Sequence, residues 1–186
     1  MRKISKKILV MVLCVAIVTG AFGGALLVIN EAKAATTTGY KVTIVVKNGN
    51  NDIEIPTNNN IKSGNSYSGI QTLYVKCKDI CRVYVTTDNN NYTRQSGSSS
   101  DENTYRYALT IDRKMTLVVV KMGDINFDGN VDSADALLIL RYDVDKADLN
   151  DLQKKNGDIN LDGKTDSADA LMILRYDVNK AKFVCN

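Results

Sequence analysis

The chain has 186 residues, 24% of them charged, with four Cys, no His and a net charge of +3. The missing His and the few Cys exclude an ordinary four-ligand zinc site. The positive charge lies in residues 1–34, which hold five basic groups and one acidic group. Without them the chain carries −1, so charge gives no support for a nucleic-acid partner.

Arg2, Lys3, Lys6 and Lys7 precede an uncharged apolar run, Ile8 to Ile29, and Ala32-Lys33-Ala34 follows. A basic start, an apolar middle and an A-x-A site make residues 1–34 a secretory signal, cut before Ala35. The alternative is a retained membrane anchor, since this run is long enough to span a bilayer. Gly20, Gly23 and Gly24 favour cleavage, after which no membrane contact is expected. Cys14 would leave with the signal, and Leu13 does not suit a lipoprotein site. Cys77, Cys81 and Cys185 remain. The first two bracket Lys78-Asp79-Ile80, and both a small disulfide and a pair of reduced thiols fit a secreted chain.

Residues 35–39 read as a short leader. From there the pattern is that of strands: 41–46 (KVTIVV), the Asn48-Gly49 turn, then 52–55 as a partner. Residues 57–69 read as loop. Residues 72–75 and 82–86 predict a hairpin across the cysteines. Residues 88–104 read as a second loop, and 105–111 and 115–120 close the set. Six short strands with polar turns suggest a small β-sandwich over 35–122, enough for one modest core. Its tyrosines (Tyr40, Tyr67, Tyr74, Tyr84, Tyr92, Tyr105 and Tyr107) could form a sugar-stacking platform or ordinary cross-strand pairs.

Residues 123–144 read GDINFDGNVDSADALLILRYDV, and 157–178 read GDINLDGKTDSADALMILRYDV, with 18 of 22 positions identical. In the first copy Asp124, Asn126 and Asp128 place oxygens on alternate residues, and Gly129 allows a sharp turn. Asn130 offers its carbonyl, Asp132 acts through a water, and Asp135 closes the sphere with both oxygens. The second copy repeats this with Asp158, Asn160, Asp162, Gly163, Lys164 by its carbonyl, Asp166 and Asp169; Thr165 replaces Val131. Oxygen donors at this spacing point to two Ca²⁺ ions. Magnesium fits poorly because it tolerates fewer protein oxygens. The last ligand is Asp where an ordinary EF-hand has Glu, and no helix enters the first loop. Helices are predicted from Ser133 and from Ser167, with a short linking helix within 146–156. Residues 123–186 carry 8 basic and 13 acidic groups, so this part should need metal to fold.

These paired loop-helix segments resemble a type I dockerin, the module that docks secreted proteins onto cohesins of a scaffoldin in cellulosome-like assemblies. The resemblance covers 123 to about 183, and the domain is placed at 123–186. The preceding part is similar to small Ig-like segments of gut ruminococcal proteins. The expected fold class is therefore two modules: a small all-β Ig-like sandwich, then an all-α dockerin with two calcium-binding F-hand loop-helix segments. The resemblance implies cohesin contacts at Ser133, Ala134, Leu140, Arg141 and Asp145, and at Ser167, Ala168, Leu174, Arg175 and Asn179. Arg141 and Arg175 also suit a helix C-terminus, so a structural role stands beside the interfacial one. Five successive apolar residues on each short helix, 136–140 and 170–174, cannot all be hidden in a domain this small, which implies a partner surface.

The function expected is that of a secreted, non-catalytic component, held extracellularly or at the cell surface through a scaffoldin in a polysaccharide-degrading complex. Two alternatives are a carbohydrate-binding accessory protein acting through the β part and an extracellular calcium sensor. An enzyme is disfavoured: the β part is short, lacks His, and keeps its seven carboxylates mostly in turns.

Overall fold

Strand β9 (Met115–Lys121) is buried at nearly every position, on both of its faces. A strand of a sandwich with one face in water would alternate; unbroken burial means that both faces are covered. In the computed structural model, which describes residues 39–47, 52–101 and 103–178, that covering comes from the C-terminal helices.

Nine strands are present among the described residues: β1 (Tyr40–Lys47), β2 (Ile53–Glu54), β3 (Ser66–Tyr67), β4 (Gly69–Cys77), β5 (Cys81–Thr86), β6 (Thr93–Gln95), β7 (Gly97–Asp101), β8 (Thr104–Ile111) and β9. Three short helices follow: α1 (Ser133–Asp143), α2 (Asp151–Gly157) and α3 (Ser167–Asp177). The strands form two sheets, ordered β3-β1-β9-β5-β6 and β2-β4-β8-β7. The pair β1 and β9 is parallel, with Val42 opposite Met115; the other pairs are antiparallel.

Between the sheets, Val42, Val83, Leu117 and Val119 meet Leu73, Val75, Leu109 and Ile111. On the opposite face of β9 and β5, Val118, Val120 and Tyr84 pack against Leu152 of α2. A third cluster joins α1 and α3 through Ile139 and Ile173, and it takes in Met122 and Ile80 from the β part.

These shared cores correct the expected fold class. The described residues lie in one compact unit, β-rich with three short helices in 133–177. They are not an all-β Ig-like sandwich followed by a separate all-α module. The physical reason is the outer face of β9, where Val118 and Val120 need the α2 surface to leave water.

Two hairpins expected from sequence are also absent. Strand β1 pairs with β3 and β9, and β2 pairs with β4. Strands β4 and β5 lie in different sheets. The Cys77–Cys81 disulfide therefore staples one sheet to the other at the point where the chain crosses. The segments read as loops contain β3, β6 and β7. Of the tyrosines, Tyr84 and Tyr107 are buried, and Tyr40 pairs with Tyr67 across β1 and β3. The signal with its cleavage point, most of the 35–39 leader, the Asn48-Gly49 turn, Asn179 and Cys185 lie outside the described residues. Among the described residues no helix is long and apolar enough to cross a membrane.

The shared cores predict one cooperative unfolding transition. Leu152→Ala should cost roughly 3 kcal/mol, the range for truncating a buried Leu. That loss should register equally by far-UV circular dichroism and by tyrosine fluorescence during urea unfolding. Two separated transitions would show that the parts fold independently.

Candidate metal and docking site

Each repeat builds the same loop. In the first, the Asp124 Oδ2 accepts from the Gly129 N–H at 2.9 Å. The Asn126 Oδ1 accepts from the Asp128 N–H at 2.8 Å, and the Asp128 Oδ1 accepts from the Asn130 N–H at 2.8 Å. Asp135 reaches back from the first turn of α1: its Oδ1 accepts from the Ile125 and Asn126 N–H groups, and its Oδ2 from the Asp132 N–H. The second loop repeats these bonds between Asp158 and Gly163, Asn160 and Asp162, Asp162 and Lys164, and from Asp169 to Ile159, Asn160 and Asp166.

Gly129 and Gly163 stand at positive φ, 94° and 88°, which only Gly adopts without cost. Phe127 and Leu161 also stand there, at 62° and 63°. A non-Gly residue so placed costs about 1 kcal/mol or more. The same strain recurs at the same loop position in both copies. Asp132 and Asp166 are the N-caps of α1 and α3, and each closes a capping box with Asp135 or Asp169. Asp132 thus has a helix-starting role beside the water-mediated one expected from spacing.

A cation fits these residues on one observation above others. The Asp124 Oδ1 and the Asp158 Oδ1 are buried with no hydrogen-bond partner. Both are the first acceptor of their loop, and a buried carboxylate oxygen left unpaired is costly. Burial pushes the Asp124 carboxyl up to about 6, with Asp135 and Asp128 adding repulsion against the backbone donors. Burial also raises Asp135 and Asp169. Negative charge is crowded where a positive ion would relieve it. The carboxylates alone do not close on one point: among the described residues no group of three or more Asp, Glu, His or Cys side chains is arranged to hold an ion. The amide oxygens of Asn126 and Asn160 and the carbonyls of Asn130 and Lys164 belong to the donor set that the spacing implies.

Several positioning residues were not evident from sequence. Asn156, fully buried, donates from Nδ2 to the Lys121 and Asp124 carbonyls at 2.9 and 2.8 Å. Lys121 donates to the Gly129 carbonyl at 3.3 Å and pairs with Asp79 at 2.9 Å. Gln153 donates to the Ile125 carbonyl. The repeat hides Asn156, because its counterpart 34 positions earlier is Met122. Thr165 departs from Val131 for a reason: its hydroxyl donates to the Lys154 carbonyl at 2.7 Å.

The expected contact residues remain in solvent. Ser133, Ala134, Leu140, Arg141 and Asp145 are exposed, as are Ser167, Ala168, Leu174 and Arg175. Beside them Leu137 and Leu171 are 46% and 48% exposed, while Ile139 and Ile173 are fully buried. Each helix therefore hides one stripe and shows another.

Residues 122–180 match the family model described as the Dockerin type I domain. No curated protein and no solved structure matches the chain.

Burial would raise Asp79, but hydrogen bonds from Lys121 and Tyr176 and the Lys121 charge outweigh it and hold the carboxyl low. Lys121 is raised in turn: burial opposes its charge, and Asp79 and Asp52 overcome that. Stability from Asp79 is full above the unfolded carboxylate pKa and is lost as pH falls through the lower folded value. Stability from Lys121 is full below the unfolded ammonium pKa and is lost as pH rises through the higher folded value. The pair therefore supports the fold between roughly pH 4 and 10. Asp79→Asn should lower the urea midpoint at pH 7 and flatten the acid limb below about pH 4. A midpoint that falls with acid as steeply as in the native chain would show that Asp79 does not act this way.

Proposed function

With a type I dockerin domain at 122–180 as the premise, we propose that the chain is a secreted, non-catalytic component docked onto a cohesin of a scaffoldin. Type I dockerins bind calcium. In this chain two Ca²⁺ ions would be held. The first would take Asp124, Asn126, Asp128, the Asn130 carbonyl, Asp135 and, through a water, Asp132. The second would take Asp158, Asn160, Asp162, the Lys164 carbonyl, Asp169 and, through a water, Asp166. The ions supply the charge that the crowded loops need and fix the start of each helix. Their role is structural, in contrast to a sensor that opens on loading.

The observation that carries docking is the paired exposed stripe. Leu140 and Arg141 have exposed counterparts in Leu174 and Arg175, on helices whose buried faces also match. Leucine would anchor and arginine would give directional charge-assisted bonds. The β layers leave both stripes open, which supports docking in either of two orientations related by the internal two-fold. Localisation follows from docking: outside the cell, free or at a surface, within a polysaccharide-degrading assembly.

Capture of type I cohesin domains by the purified chain should occur in calcium and vanish in EDTA; undiminished capture in EDTA would refute the reading. Replacing Leu140 and Arg141 with Ala should weaken binding only about twofold, the loss of one of two equivalent modes. Replacing Leu174 and Arg175 should do the same, and replacing all four should abolish binding by calorimetry. If either pair alone abolishes it, docking uses a single orientation.

A further inference from the structure

We propose that the turn closed by the Cys77–Cys81 disulfide positions the first of the two calcium loops and not the second. The inference rests on the calcium reading above. It adds Asp79 and Lys121, which supply no ligand, to the groups on which one ion depends.

The disulfide leaves three residues, Lys78-Asp79-Ile80, between its bonded ends. Both cysteines are buried, and the cross-link removes freedom from the turn between them. Two routes carry that restraint to the loop. The Ile80 carbonyl accepts from the Met122 N–H at 2.9 Å, two residues before the first ligand, Asp124. The Asp79 Oδ2 lies 2.9 Å from the Lys121 Nζ, which donates in turn to the Gly129 carbonyl at 3.3 Å. The Gly129 N–H then holds the Asp124 Oδ2 at 2.9 Å, while the buried Asp124 Oδ1 has no protein donor. The turn therefore reaches Asp124 both along the backbone and across the loop.

Charge gives Asp79 a part beyond packing. Lys121 is 7% exposed, and a buried ammonium without a carboxylate is costly. Uncompensated, it would also repel a cation entering the neighbouring loop. Asp79 is its nearer partner, and Asp52 at 3.5 Å is the farther one. The second copy is arranged differently. Lys155 stands where Lys121 does in the repeat, but its Nζ goes to Asp151 and to the Tyr92 carbonyl. Gly163 is exposed. Asp79 also bonds Tyr176, which lies in the last turn of α3, at the opposite end of that helix from Asp169.

The test is a calcium titration of the purified chain against a competing chelator, followed by NMR at the Gly129 and Gly163 amides. Asp79→Asn keeps the shape of the side chain and removes its charge. It should weaken the ion reported by Gly129 about tenfold, the usual loss when an outer partner of a metal site is changed. The ion reported by Gly163 should be unchanged. Cys77→Ala combined with Cys81→Ala should act the same way, with every carboxylate still in place. Should the cysteine variant not fold, Asp79→Asn decides alone. Equal weakening at both glycines marks a general loss of stability and overturns the proposal, as does native affinity at Gly129 in folded Asp79→Asn. No saturable binding at either glycine of the native chain overturns the calcium reading and this proposal with it.

Discussion

The last carbonyls of α2 have no helical partners of their own, and the β-sheet supplies them. A helix end buried without donors would be costly. Here Arg82 gives hydrogen bonds to the Lys155 and Asn156 carbonyls, and the Tyr84 hydroxyl gives a third to Lys155. Asn156 answers from the helix side, donating to the carbonyls at the end of β9 and the start of the first loop. At the other end of α2, Asp151 accepts from the Tyr92 N–H at 2.7 Å. Remove this seam, and Val118, Val120 and Tyr84 lose their cover while the first acidic loop loses its backing. The fold and the candidate metal site thus depend on one set of contacts.

The repeat made the two Asp- and Asn-rich loops and the helices α1 and α3 legible, because oxygen spacing and helical period act over a few residues. Helices α1 and α3 start where Ser133 and Ser167 predicted them. The main strands were legible for the same reason, with β4, β5, β8 and β9 carrying alternating or continuous apolar runs. Strands β6 and β7 were not: they have no buried hydrophobic side chain and exist only as edges on β5 and β8. Pairing was the harder matter. Asn48-Gly49 and the close cysteines suggested local hairpins, yet β1 and β4 each found distant partners. Two-sided burial decided those partners, and it was written in Val118-Val119-Val120, three apolar residues where a solvent-facing strand would alternate. An unbroken run there calls for cover on the outer face, but it does not say that α2 provides it.

The two halves of the repeat are alike in their loops and unlike in their settings. Asp124 is fully buried, and Gly129 is held from both sides, its N–H by Asp124 and its carbonyl by Lys121. Gly163 is exposed, and its N–H bond to Asp158 is the one contact of this kind that the second loop retains. The first loop also follows a strand, and the second follows a helix. A loop backed by a sheet has less freedom to lose when it closes on an ion than one open to water. Near-identical ligands therefore need not give identical sites.

That asymmetry stops at the helices. Leu137 and Leu171 are exposed to almost the same degree, and Ile139 and Ile173 are equally buried. A shared set of oxygen donors accounts for the matching loops, but Leu140-Arg141-Tyr142 and Leu174-Arg175-Tyr176 lie outside them. Burial explains the isoleucines, and the helix dipole favours the arginines near the helix ends. Neither explains a leucine left partly in water at the same position twice. A partner surface does, and the α2 seam fixes the β layers to the helices that carry both stripes.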